Sequence, residues 1–150
     1  MATDLMSNAS RREKSNCPIS YSLDLFGDRW TLLVLRDLIL HGKTRFAEFQ
    51  NSAEKIASNT LADRLRRLEE QGIVVRNADR SDARQKIYAV TKKGLSLTSV
   101  LLEIAAWGAS HDSQTGAPAE FAAKFYADRE GYYREHRQRI SSLFEAQKNR

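Results

Sequence analysis

The feature that most constrains this 150-residue chain is a change of period at Gly72. Upstream, in SNTLADRLRRLEEQ, Leu61, Leu65 and Leu68 recur at the spacing that lines one side of an α-helix. Downstream, IVVRNA and KIYAV are short and rich in β-branched residues, as strands are. Glycine is the residue that accepts the left-handed backbone needed to close a helix abruptly. The connection between the two runs, DRSDARQ, is polar and too long for a two-residue turn, so it predicts a hairpin with an exposed, basic tip.

The rest of the chain is read around this unit. Residues 1–16 are polar and without periodicity, and are expected to form a mobile arm. PISYSLDLF predicts a short helix started by Pro18 and ended near Gly27, with Ile19, Leu23 and Phe26 on one face. Asp28 is a candidate N-cap for a helix from Arg29 to Leu40. Trp30, Leu33, Val34 and Leu38 line one side of it; Leu32, Leu35 and Ile39 thicken that side, as in a central core helix. TRFAEFQ predicts a shorter helix with Phe46 and Phe49 inward, and Ser58 is the expected cap of the leucine helix. Thr91 is the expected cap of one long helix through about Trp107. The Leu95–Trp107 stretch is apolar on two faces, and the second face needs a cover, most simply a second copy of the chain. After a linker, residues 119–150 predict one or two amphipathic helices broken near Gly131. Tyr126, Tyr132 and Tyr133 are candidates for a ligand pocket there, although their helical spacing is more usual in a core.

The order of elements, three helices followed by a two-stranded wing and a long helix, predicts a mainly α fold with a small β-hairpin. This is a winged helix-turn-helix with a long C-terminal dimerisation helix and an added helical tail. The expected organisation is an arm at 1–16, a DNA-binding and dimerisation domain at 17–111, and a linker and helical extension at 112–150.

Charge placement points the same way. The net charge is +5, and residues 55–93 hold ten Lys/Arg against five Asp/Glu. Residues 1–54 and 94–150 each balance at seven and seven, so the whole excess lies around the leucine helix and wing. A localised basic excess suits a polyanion. With the leucines inward, Ser58, Asn59 and Thr60 lie at the helix N-terminus, where such helices meet base edges. Arg64 and Arg67 are placed to contact phosphate or guanine, and Arg80, Arg84 and Lys86 belong to the wing and its phosphate contacts. The alternative is a solvated helix with Glu70 paired to Arg66 or Arg67 and a wing tip held by internal Asp79–Arg and Asp82–Arg pairs. In that case the winged helix docks proteins without specific DNA readout.

Several motifs resemble those of the HxlR-type transcriptional regulators, a bacterial winged-helix family. They are Cys17-Pro18, Gly27-Asp28-Arg29-Trp30-Thr31-Leu32-Leu33, Arg45-Phe46-Ala47-Glu48-Phe49, Arg64 through Val74, and Thr91-Lys92-Lys93-Gly94. The likeness covers residues 17 to about 108. It implies homodimers joined by the first helix and the Leu95–Trp107 helix, bound to inverted-repeat operators on double-stranded DNA. The wing is longer and more basic than the family's usual one, and the tail after His111 exceeds its common length.

Cys17 is the only cysteine, which excludes an internal disulfide and fits a reducing, cytoplasmic setting. The resemblance makes Cys17 a candidate redox sensor, and a thiol at a helix N-terminus gains thiolate character. The plainer reading, a partly buried small hydrophobe, is favoured. The N-terminus lacks the apolar stretch of a signal peptide, and no run is apolar enough to span a membrane. His41, His111 and His136 show no metal-ligand spacing, no cofactor is expected, and no nucleophile or paired-carboxylate motif suggests an enzyme. A small-molecule effector is a candidate partner.

Overall fold

Helix α2 (Arg29–Ile39) is the post on which the other elements hang: the leucine helix, the second strand, the long helix and the tail all pack against it. The computed structural model describes residues 15–148, so most of the expected arm at 1–16 lies outside the described residues. Asp28 caps α2, its carboxylate accepting from the Thr31 amide. The inward face is shifted from the expected one: Leu35 and Ile39 are fully buried with Val34 and Leu38, while Trp30 and Leu33 are only half-buried.

Helix α1 (Pro18–Phe26) starts at its proline and stops at Gly27, where a Cβ would collide with the Leu23 carbonyl oxygen. None of its residues is buried. Ile19 is 67% exposed and Leu23 55%, so of the predicted stripe only Phe26 touches the core.

Helix α3 (Phe46–Gln50) buries Phe49, and α4 (Ser58–Glu70) buries Leu61, Leu65 and Leu68 as the spacing predicted. Ser58 is not the cap of α4: Ala57 holds the N-cap position, Ser58 is the first helical residue, and no side chain caps the end. The C-terminus is closed by a Schellman motif. Gly72 sits at φ +69, its amide donates to Glu69 O, and the Ile73 amide donates to Leu68 O.

Strands β1 (Val74–Ala78) and β2 (Lys86–Val90) pair antiparallel, with Val74 opposite Val90 and Arg76 opposite Tyr88. The segment before α3 joins them, because the Tyr88 amide donates to Thr44 O and Arg45 bridges Ile87. Thr91 ties the hairpin's end back to its start: its amide donates to Ile73 O and its hydroxyl to Gly72 O. Thr91 also caps α5 (Lys92–Leu95), accepting from the Gly94 amide. A Cβ at Gly94 would collide with the Ile73 carbonyl oxygen, which explains the Thr-x-x-Gly spacing.

The single helix expected from Thr91 is two helices. After α5 the chain turns at Ser96 and Leu97, and α6 runs Thr98–His111. The Ser96 hydroxyl donates to Lys93 O and the Thr98 hydroxyl to Leu95 O, local bonds that compete with the helical ladder.

The tail forms α7 (Phe121–Ala127) and α8 (Arg129–Lys148). The break falls at Asp128, not at Gly131. The Asp128 carboxylate accepts from the Gly131 amide, and a Cβ on Gly131 would strike that carboxylate. The tail folds back over α6. Leu102, Ala106 and Phe125 form a second core, with Leu40, Phe121, Tyr132 and Tyr133 around it. Tyr132 and Tyr133 pack edge-on against Phe125, so these tyrosines are core rather than pocket lining. Glu103 of α6 accepts from Arg129 (2.6 Å) and Tyr133 (3.0 Å), and Arg139 donates to Leu40 O.

Replacing Phe125 with Ala removes the centre of this second core and is expected to cost about 3–5 kcal/mol of tail docking. Hydrogen exchange should then quicken across residues 121–146 while α4 keeps its protection; equal loss in both would contradict a separately docked tail.

Candidate nucleic-acid interface

The leucine stripe seats α4 on α2 and turns its opposite face outward. Ser58 and Asn59 are exposed at its N-terminus and Thr60 is half-buried beside them. The Asn59 side-chain oxygen accepts from the Thr60 amide at 3.0 Å.

The arginines of α4 are engaged rather than free. Arg64 has a side chain only 20% exposed; its Nε lies 3.0 Å from Asp28 Oδ1 and its second nitrogen 2.5 Å from Asp63 Oδ2. Asp63 also accepts from Arg66 (2.8 Å) and pairs with Arg67 (3.0 Å), and Arg66 reaches Glu70 at 2.7 Å. The Arg66 hydrogen bond and the neighbouring guanidiniums hold the Asp63 carboxyl below its usual range. At Asp28 burial pushes the pKa up, but hydrogen bonds from Thr31 and Arg64 outweigh it and leave it lowered. Arg64, bound first by Asp28, is correspondingly raised. Over Ser58–Glu70 three arginines face three acids, so α4 is electrically neutral. The excess that residues 55–93 carry therefore sits on the wing and its flanks: Lys55, Arg76, Arg80, Arg84, Lys86, Lys92 and Lys93 against Asp79 and Asp82.

The wing tip is shaped by its two aspartates. Asp79 is buried and accepts from the Ser81 amide (2.9 Å) and hydroxyl (2.7 Å), which hold its carboxyl below the ordinary range. The arginine paired with Asp79 is Arg45, from the N-cap of α3, and not one of the wing's own. Arg45 also donates to the Gln85 side chain at 2.7 Å, so it clamps both sides of the loop. Asp82 pairs with Arg84 as the sequence suggested, yet the Arg84 side chain remains 92% exposed. Arg80 and Lys86 are exposed and make no ion pair among the described residues.

A buried network that the sequence reading missed sets the turn between α3 and α4. Asp37 of α2 is buried and meets Arg36 (2.8 Å), His41 (3.2 Å), Lys43 (3.3 Å) and the Ser52 hydroxyl. Arg36 reaches on to Glu54 with two bonds of 2.5 and 3.0 Å. That hydrogen-bonded fork pulls the Glu54 carboxyl down to about 2. Asp37 within an otherwise apolar helix face was the available signal. Among the described residues no His, Cys, Asp and Glu side chains cluster as metal ligands, and no helix is long and apolar enough to cross a membrane. Cys17, at the N-cap of α1, is exposed, which removes the reading of it as a partly buried hydrophobe.

Comparison with known proteins places this geometry. The profile of the HxlR-like helix-turn-helix family matches residues 25–115. Over 98 residues the chain is 33% identical to YybR, an uncharacterized HTH-type transcriptional regulator of Bacillus subtilis (strain 168), with 65% of this chain and 78% of that protein covered. It is similar to the crystal structure of PA1607, a transcription-factor candidate, at TM-score 0.63 and 35% identity over 72% of this chain and 75% of that one. It is also similar to the redox regulator HypR in its oxidized form, at TM-score 0.57 and 32% identity over 64% of this chain and 98% of that one.

The lowered Glu54 pKa gives an acid dependence of defined sign. The carboxylate is stabilised in the fold, so its contribution is complete above the usual carboxylate range and is lost as pH falls toward about 2. Between these limits the melting temperature is expected to fall with pH, and Glu54→Gln should flatten that dependence while lowering stability at pH 7. A parallel slope in the variant would contradict the assignment.

Proposed function

The chain belongs to the HxlR-like helix-turn-helix family of transcriptional regulators, and from that premise we propose that it acts as a homodimer on an inverted-repeat operator in double-stranded DNA. The observation that carries this reading is the division of charge: a neutral α4 with exposed Ser58 and Asn59, beside a wing and flanks that hold the whole basic excess. A neutral helix adds little unspecific attraction and leaves its N-terminal polar groups, Ser58, Asn59 and Thr60, to meet base edges. Arg67, 61% exposed and paired among the described residues with Asp63, can exchange that partner for a phosphate or a guanine. Arg80, Arg84 and Lys86 lie against the backbone and supply affinity. A homodimer is supported by the bare faces of α1 and α6, where Ile19, Leu23, Ile104 and Trp107 stand exposed.

The test begins with selection of duplexes from a random pool by the purified protein. A palindromic consensus is expected, with affinity falling steeply as salt rises. Arg84→Ala should weaken binding to all sequences alike and reduce the slope of log K against log salt by about one. Asn59→Ala should instead cost about 1–3 kcal/mol at a single base-pair position. Salt-insensitive binding without a consensus would favour a protein-docking winged helix.

Cys17 supports a second reading. It is exposed at the start of the uncovered helix α1, and the similar protein HypR is a redox regulator. We infer that the Cys17 thiols of two copies can be oxidised to a disulfide, giving up two electrons and two protons to an oxidant such as diamide. Non-reducing mass measurement after diamide should show a covalent dimer that dithiothreitol reverses and that no longer binds the selected duplex. Unmodified monomeric chain under those conditions would refute it.

A further inference from the structure

We propose that Asp28 and Arg64 are positioning residues that couple the orientation of α1 to the presentation of α4, and that Arg64 does not itself contact DNA. The coupling rests on one carboxylate serving two elements. Asp28 Oδ1 accepts from the Thr31 amide at 3.1 Å and from Arg64 Nε at 3.0 Å, while Oδ2 accepts from the Thr31 hydroxyl at 2.5 Å. Thr31 is buried, so Asp28 joins Arg64 to the first turn of α2 at the edge of the core. On the α1 side, Gly27 is pressed so closely on the Leu23 carbonyl that it has no room for a side chain. The Gly27 amide also donates to Leu23 O at 2.7 Å, so residue 28 follows directly on the closed last turn of α1. On the α4 side, the second nitrogen of Arg64 is bound by Asp63, the same carboxylate that pairs with Arg66 and Arg67 on the outer face. A continuous series of charged contacts thus runs from the end of α1 through Asp28, Arg64 and Asp63 to the exposed arginines of α4.

The series has something to report. Helix α1 has no buried residue, Ile19, Tyr21 and Leu23 are more than half exposed and only Phe26 packs on the core, so its pose is sensitive to the second copy that the homodimer reading lays over that face. A change in the cover tilts α1, moves the Gly27–Asp28 elbow, and shifts or frees Arg64. Freed Arg64 in turn alters how Asp63 shares itself between Arg66 and Arg67. In this arrangement the Arg64 charge is satisfied inside the protein, which separates it from Arg67 and from the wing.

The DNA arm of the test rests on the DNA-reading proposal and uses the duplex recovered by selection, with one set of probes in which the half-site spacing is changed by one and two base pairs. Four variants are measured in the full chain: Asp28→Ser, which keeps a capping oxygen but no charge, Arg64→Lys, which keeps the charge but not the two-pronged fork, the double variant of these two, and Arg64→Ala, which removes the charge and is read by its salt slope. Each single change is expected to weaken binding about tenfold and to erode the preference for the native spacing. The double variant should be no weaker than either, and the salt slope should stay that of the unaltered chain. Wild-type binding by Arg64→Lys, multiplying losses, or a slope reduced by about one in Arg64→Ala would overturn the proposal.

A second arm needs no DNA. In the free protein, hydrogen exchange in the first turns of α4 is expected to quicken several-fold in Asp28→Ser, and exchange at the end of α1 likewise in Arg64→Lys, with melting temperatures close to that of the unaltered chain. Effects confined to the substituted helix would refute the coupling even if no operator were ever recovered; reciprocal effects with no selected duplex would refute only the DNA reading.

Discussion

The burial of Leu61, Leu65 and Leu68 against α2 is the contact on which the rest of this structure depends. Each leucine removed from water contributes about 1.5–3 kcal/mol, and all three are essentially inaccessible. With the stripe seated, the rotation of α4 is settled, and so is which polar side chains face outward. The Schellman closure at Gly72 then carries the same constraint into the wing, because Leu68 O, Ile73 and Thr91 are linked by backbone bonds. Gly94 fits only because nothing projects from it toward Ile73. Helix, hairpin and α5 thus form one hydrogen-bonded unit.

Charge is distributed unevenly over this unit. The outer face of α4 is a self-neutralising ladder centred on Asp63, while the wing and flanks carry the net positive charge. Attraction to a polyanion depends on unmatched charge, whereas discrimination among bases depends on fixed donors and acceptors. Arg45, bound to Asp79 and Gln85, shapes the loop from which Arg80 and Arg84 project.

The tail answers a question that the apolar pattern of α6 leaves open. A helix apolar on two faces needs two covers, and its pattern does not say whose side chains supply the second. Here α7 and α8 of the same chain cover Leu102 and Ala106 through Phe125. Ile104 and Trp107 remain exposed, as do Ile19, Tyr21 and Leu23 of α1.

What was legible in the sequence follows a physical division. Helix and strand identities, the cap at Asp28, the stop at Gly72 and the cap at Thr91 rest on interactions spanning a few residues, and these are written in local spacing. The family was legible too, since its motifs are those local signals in a particular order. Other local readings failed: Ala57 rather than Ser58 holds the N-cap of α4, the tail breaks at Asp128, and the chain turns at Ser96 and Leu97, where the Ser96 and Thr98 hydroxyls bond back to the preceding turn, in a helix that apolar spacing alone made continuous. The charged side chains were not legible in the same way. Arg64 finds Asp28 across 36 residues, Arg45 finds Gln85 across 40 and Arg36 finds Glu54 across 18. A long cation can reach any acid within several ångströms, and only the packed arrangement of the helices decides which acid that is. The sequence by itself determined the order of helices and hairpin and the leucine face that α4 buries; the tertiary structure decided which face α1 and α2 turn inward and which arginines are tied down, because ion pairs between distant segments exist only once the leucine stripe has brought those segments together.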